Sequence, residues 1–173
     1  VLAATYLGTF FSGVLGLVLT RTLPARLTSR GEEVLFERIP IYLKALRDDV
    51  EQTVFECVEQ TETTVISELY VKHLRRFFDC PRNVLWHLLH SNQPRTELLL
   101  LVEGHQRYLS EDEQHALSSI TDRIRQKDDL DYQYALQGIL KLWLFMHIPL
   151  TWSLLTMGMF HALSVYAYGG LNG

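Results

Sequence analysis

Residues 142–168, "LWLFMHIPLTWSLLTMGMFHALSVYAY", run for 27 residues without an Asp, Glu, Lys or Arg. Residues 1–20, "VLAATYLGTFFSGVLGLVLT", are equally free of charge. All 36 acidic and basic side chains of the chain (16 Lys and Arg, 20 Asp and Glu) therefore fall in residues 21–141. A helix rises about 1.5 Å per residue, so about 20 apolar residues cross a hydrocarbon core about 30 Å thick. The C-terminal run has residues to spare, and the N-terminal run is just long enough. This segregation predicts an all-α integral membrane helical bundle with a helical cytoplasmic insertion. The divisions expected are a transmembrane helix over 1–20 and a cytoplasmic helical segment over 21–137. A second transmembrane helix over 138–168 and a short tail over 169–173 complete them.

The N-terminal run begins on Val1, with no basic n-region and no small-residue cleavage site. It reads as a membrane helix rather than a signal peptide, with the true N-terminus expected upstream. A processed, mature start is the alternative. Arg21, Arg26 and Arg30 follow the first run, and Arg123, Arg125, Lys127 and Lys141 precede the second. The outer flanks hold no Lys or Arg. Positive charge accumulates on the cytoplasmic side of membrane proteins, so the middle segment is assigned to the cytoplasm and both termini to the opposite side. Cys57 and Cys80 match neither a CxxC redox pair nor a zinc ribbon, and in that compartment they are expected to be reduced.

Within the middle segment, residues 41–78 carry apolar residues at spacings of three and four, with Thr61, Thr63 and Thr64 marking a turn. Ser110 with Glu113 forms a capping box, and acids fill the first turn after it. From Ala116 the helical spacing continues without a proline until Pro149, so the last cytoplasmic helix is expected to run into the second membrane helix. "QKDDLDYQ" is its weak link, because Asp is a poor residue for a helix interior. Residues 21–40 read as an amphipathic stretch at the membrane surface, and "KHLRRFF" (72–78) as a basic, aromatic segment able to meet headgroups. His87 and His90 share a helix face, without a cysteine or acidic partner at zinc spacing. No Walker motif, Rossmann fingerprint or Ser-His-Asp set is present, and the acidic balance argues against nucleic-acid partners.

The chemistry-bearing residues sit in the charge-free run. Intramembrane ionisable residues usually face a bundle interior or a cofactor. His147 and His161 are fourteen residues apart, about 40° short of four turns and roughly 21 Å along the axis. Both imidazoles therefore leave one helix face at different depths. Imidazoles are axial ligands of haem iron, and this placement suits two haems stacked across a membrane. Gly158 and Ala162 leave room near His161, and Pro149 is expected to kink the helix. Trp143 and Tyr166 fall where interfacial aromatic belts lie. On the first helix Gly8, Ser12 and Gly16 form a stripe of small residues, suited to close helix packing or to a flat cofactor. A plain interhelical hydrogen bond is the simpler role for a membrane histidine.

"LKLWLFMHIPLTWSLLTMGMFHALSVYAYGG" resembles the last helix of di-haem b-type membrane cytochromes, the cytochrome b561-like group. The shared features are His-x13-His, its apolar filling and the proline after the first His. "YLGTFFSGVLGLVLTRTLPARLTSRGEE" similarly resembles the preceding helix. The resemblance covers the two membrane helices, a little over a quarter of the chain. It implies a four-helix bundle holding two b haems, with His147 and His161 as axial ligands and transmembrane electron transfer as the activity. It also implies membrane lipid, other subunits of an electron-transfer complex and a quinone as partners. Residues 1–20 contain no histidine, which departs from the group's pattern of paired ligands. The opposite ligands must come from outside this sequence. A haem-free accessory subunit of a respiratory or photosynthetic complex is the alternative.

Overall fold

The computed structural model describes residues 1–27, 34–79 and 93–169. Every regular element among them is helical: α1 (Leu2–Leu27), α2 (Ile39–Thr61), α3 (Val65–Leu69), a π-helical turn (Tyr70–Leu74), α4 (Arg75–Phe78), α5 (Gln93–His105), a 3₁₀ turn (Gln106–Tyr108) and α6 (Glu111–Gly169). The chain divides into two compact units, Val1–Ser29 with Gly138–Gly173, and Arg30–Gln137. The cap near Thr28 and Ser29, the short helix through His90, and Cys80, His87 and His90 lie outside the described residues.

In the unit Arg30–Gln137, α2 turns Ile39, Leu43, Val50, Val54 and Cys57 inward at helical spacings. Burial pushes the Cys57 thiol pKa up. The helix stops at Thr61, where Glu62 takes the left-handed conformation (φ 54°) and its N–H donates to the Val58 carbonyl at 3.0 Å. That is a C-cap geometry usually given to glycine, and it falls in the threonine-rich stretch expected to turn. Ile66, Leu69, Tyr70, Leu74, Phe77 and Phe78 then pack with Val102 of α5 and with Leu117, Ile120 and Ile124 of α6. The "KHLRRFF" segment is thereby split. Its phenylalanines are core residues, whereas Lys72, His73, Arg75 and Arg76 stay exposed. Only the basic half is accessible to a partner.

The π turn begins at Tyr70, whose buried hydroxyl donates to Glu51 Oε1 at 2.9 Å. Burial and this bond push the Tyr70 phenol up to about 12. The Tyr70 bond, with the one from Arg47 (3.1 Å), holds the Glu51 carboxyl below the usual range.

The capping box forms as its residue types require. Ser110 donates to Glu113 Oε2 from both its backbone N–H and its hydroxyl, each at 2.9 Å. The other carboxylate oxygen accepts from Thr63, in the turn after α2. Glu113 is buried and its pKa is lowered, first by the Thr63 bond and then by Ser110. In the unfolded chain this carboxyl titrates near about 4.3. Its contribution is therefore complete above that pH and is lost as the pH falls through the lower, folded value. Glu51 acts in the same sense. We expect the thermal midpoint of the helical signal to fall on acidification below about pH 4.5, and the fall to be shallower in Glu113→Gln. Glu113→Ala should cost about 1–3 kcal/mol at neutral pH by orphaning Ser110 and Thr63. A midpoint independent of pH across that window would contradict this account.

The weak stretch "QKDDLDYQ" lies inside α6 without a break. Lys127, Asp128, Asp131 and Gln133 are all buried there. Lys127 pairs with Asp131 one turn on and lies 4.4 Å from the Phe77 ring centroid. Arg95 of α5 reaches Asp128 at 3.5 Å. Tertiary ion pairing overrides the low helix propensity of the aspartates.

Candidate functional site

The unit formed by residues 1–29 and 138–173 holds the two helical segments that are long and apolar enough to cross a membrane. α1 continues seven residues beyond the expected Thr20, running through Pro24 to Leu27, and α6 runs through Pro149 to Gly169. Contacts pair Gly16 with Trp143, Ser12 with His147, Thr9 with Leu150 and Thr5 with Met157, so the two segments are antiparallel. Hydroxyls on this apolar pair are satisfied by carbonyls one turn back: Thr9 to Thr5 at 2.8 Å, Thr20 to Gly16 at 2.8 Å, Thr151 to His147 at 2.9 Å and Ser164 to Phe160 at 2.8 Å. This local bonding satisfies the hydroxyls without recourse to water.

Three residues form the polar centre of the pair. The Trp143 indole N–H donates to the Ser12 carbonyl at 2.9 Å. Ser12 Oγ and His147 Nδ1 are 3.0 Å apart. The Trp143 and His147 rings stack, with centroids 5.0 Å apart and planes 19° from parallel. The backbone of Gly16 takes the indole where a side chain would stand: a Cβ there would lie 2.0 Å from Trp143 Cζ2. At Gly13 a Cβ would come 3.9 Å from His147 Cε1.

The second imidazole nitrogen is less engaged. His147 Nε2 lies 3.5 Å from Thr151 Oγ1, and that hydroxyl spends its proton on the His147 carbonyl. A separation of 3.5 Å is a weak hydrogen bond. His147 lines an open cleft of about 480 Å³, together with Tyr6, Phe10, Gly13, Val14, Leu17 and Leu154 among others. A ligand nitrogen steadied through its other nitrogen, beside an apolar cleft, has the donor chemistry of an axial haem ligand. His147 could supply one ligand to such an iron.

His161 is exposed, one turn beyond Met157 on α6. The structure does not bring it against another described histidine. Gly8 and Gly158 are half-buried, and a Cβ added at either would meet nothing within 4 Å. The close-packing positions are thus Ser12 and Gly16 from the small-residue stripe, together with Gly13, which its spacing of four passes over. Among the described residues no three His, Cys, Asp or Glu side chains form a group that could hold a metal ion.

Trp143 is the residue whose role the sequence concealed. Its place at the end of the charge-free run suits an interfacial belt, yet its N–H is committed to α1. The available signal was the period. Thr5, Thr9, Ser12, Gly16, Leu19 and Leu23 are spaced alternately by four and three, which keeps a seam facing an antiparallel partner. A spacing of four drifts by about 40° at each step, which carries Gly8 away from Gly16. No protein-family model, curated protein or solved structure matches the chain.

Proposed function

We propose that this chain is an integral membrane electron-transfer subunit of the b-type cytochrome kind, with His147 and His161 as axial haem ligands. The observation that supports it is the asymmetry of His147: Nδ1 is held by Ser12 at 3.0 Å, Nε2 has only a weak contact at 3.5 Å, and the residue lines an apolar cleft. Bound haem supplies an iron that exchanges one electron between ferrous and ferric states. The chain's own residues orient the ligand. Ser12 engages Nδ1 and leaves Nε2 the less engaged nitrogen, Trp143 holds the ring plane by stacking, and Gly13 leaves space beside the imidazole. His161 gives α6 a second imidazole fourteen residues on, for a second haem at another depth. The opposite ligands come from outside this sequence, from further helices or a partner subunit.

In this reading both apolar segments cross a bacterial inner membrane. The outward side chains support lipid or neighbouring subunits as surroundings, because Leu7, Phe11, Leu15, Val18, Phe145 and Trp152 are all exposed. The basic flanks support a cytoplasmic location for residues 21–137. A quinone is a fitting partner for a redox subunit of this type.

The second reading is the haem-free accessory subunit. The Trp143–Ser12–His147 bonds favour it, since they already give His147 a role in helix association. A reduced-minus-oxidised visible spectrum with a pyridine haemochrome assay on the complex purified from its membrane separates the two. The cytochrome reading expects about two b haems per chain, with His147→Ala and His161→Ala each removing about one. Absence of haem from the intact complex would overturn it and leave the accessory subunit.

A further inference from the structure

We infer that the face presented by Leu35, Ile41 and Tyr42 is a docking surface for an anionic lipid bilayer, an inference that rests on the membrane reading above. These three side chains are 65%, 68% and 45% exposed, an unusual density of large apolar groups for eight residues of a charged segment. Arg38 and Lys44 are exposed among them, against the single acid Glu37 over residues 34–45. Apolar side chains interleaved with cations are the composition of an interfacial helix on anionic headgroups.

The patch is also tethered. The Val34 N–H donates to Gln133 Oε1 and the Val34 carbonyl accepts from Gln137 Nε2, both at 2.8 Å. Phe36 stacks on Tyr134, with centroids 4.9 Å apart and planes 12° from parallel. Residues 34–36 are thereby pinned to α6 at 133–137. Gln137 is five residues from Leu142, where the charge-free run begins, and Val34 is seven residues from Leu27, where α1 ends. Chain reach alone limits those separations to about 18 Å and about 25 Å. The headgroup layer adds roughly 5–8 Å on each side of the hydrocarbon. A patch so few residues along the chain from two charge-free segments, apolar and cationic together, fits the bilayer surface better than a mobile protein partner.

Photo-crosslinking of the full chain in vesicles of phosphatidylglycerol and phosphatidylcholine tests this. Benzoylphenylalanine is placed in turn at position 41, at 55 (Phe55, exposed on α2 fourteen residues further on) and at 155 (Leu155, exposed in the charge-free run). Lipid adducts at 41 and 155 but not at 55, with the position-41 adduct falling several-fold when phosphatidylglycerol is omitted, are expected. Adducts at 155 alone, or a protein adduct at 41, would overturn the docking surface while the membrane reading stands. An undiminished adduct at 41 without phosphatidylglycerol would overturn its anionic character. Absence of lipid adduct at 155 would overturn the membrane reading itself, and this inference with it.

Discussion

Neutralising Lys127 should be the most destabilising single change in the unit Arg30–Gln137. Lys127 is 0% exposed and its partner Asp131 is 1% exposed. An ion pair without water gains little net stability over an apolar pair, because both ions are desolvated. Removing one member is different: it leaves a charge in a medium that cannot solvate it. Lys127→Met keeps the volume and the apolar contact with Phe77, but it takes from the buried Asp131 the ammonium it pairs with. A loss of about 3–5 kcal/mol is expected, read as a lower denaturation midpoint of the full chain in detergent. Lys127→Met combined with Asp131→Leu should recover most of it, since an apolar pair replaces an ionic one. If the double variant is no better than the single one, the pair is not what makes Lys127 indispensable.

Substituting Gly16 by alanine should have the largest effect on the helix pair. The added methyl would overlap the Trp143 ring at 2.0–2.7 Å. The indole cannot swing away freely, because its N–H is held by the Ser12 carbonyl and its face by His147. Either the helices separate or those contacts break. Overpacking of this kind costs about 1–3 kcal/mol. Gly8→Ala is the matched control, with open space at the new methyl and an expected effect within about 0.5 kcal/mol. Unfolding of the reconstituted chain, followed by tryptophan fluorescence, measures both. Equal behaviour of the two variants would show that the Gly16–Trp143 approach does not hold the pair together. Gly16→Ala should also move His147, so in the cytochrome reading it lowers haem retention where Gly8→Ala does not.

Two features of α6 show how far local sequence rules reach. The capping box at Ser110 and Glu113 formed as its spacing implied, because its atoms lie within one helical turn. "QKDDLDYQ" looked like a weakness, since propensity scales price an aspartate in isolation. The partners that make it stable, Arg95 and Phe77, lie 33 and 50 positions from Asp128 and Lys127 in the chain.

The sequence by itself determined the helical class, the two charge-free segments, the turn near Thr61–Thr64 and the placement of two imidazoles on one helix. All of these follow from composition or from the 3.6-residue period, which act over one or a few turns. Only the tertiary structure decided which residues of α6 meet the seam of α1, and that Trp143 turns inward to hold Ser12. It likewise decided that Val34–Phe36 lie on α6, and that the phenylalanines of "KHLRRFF" leave the surface to its basic residues. Those depend on which residues of distant segments come opposite one another, a register that no local pattern encodes.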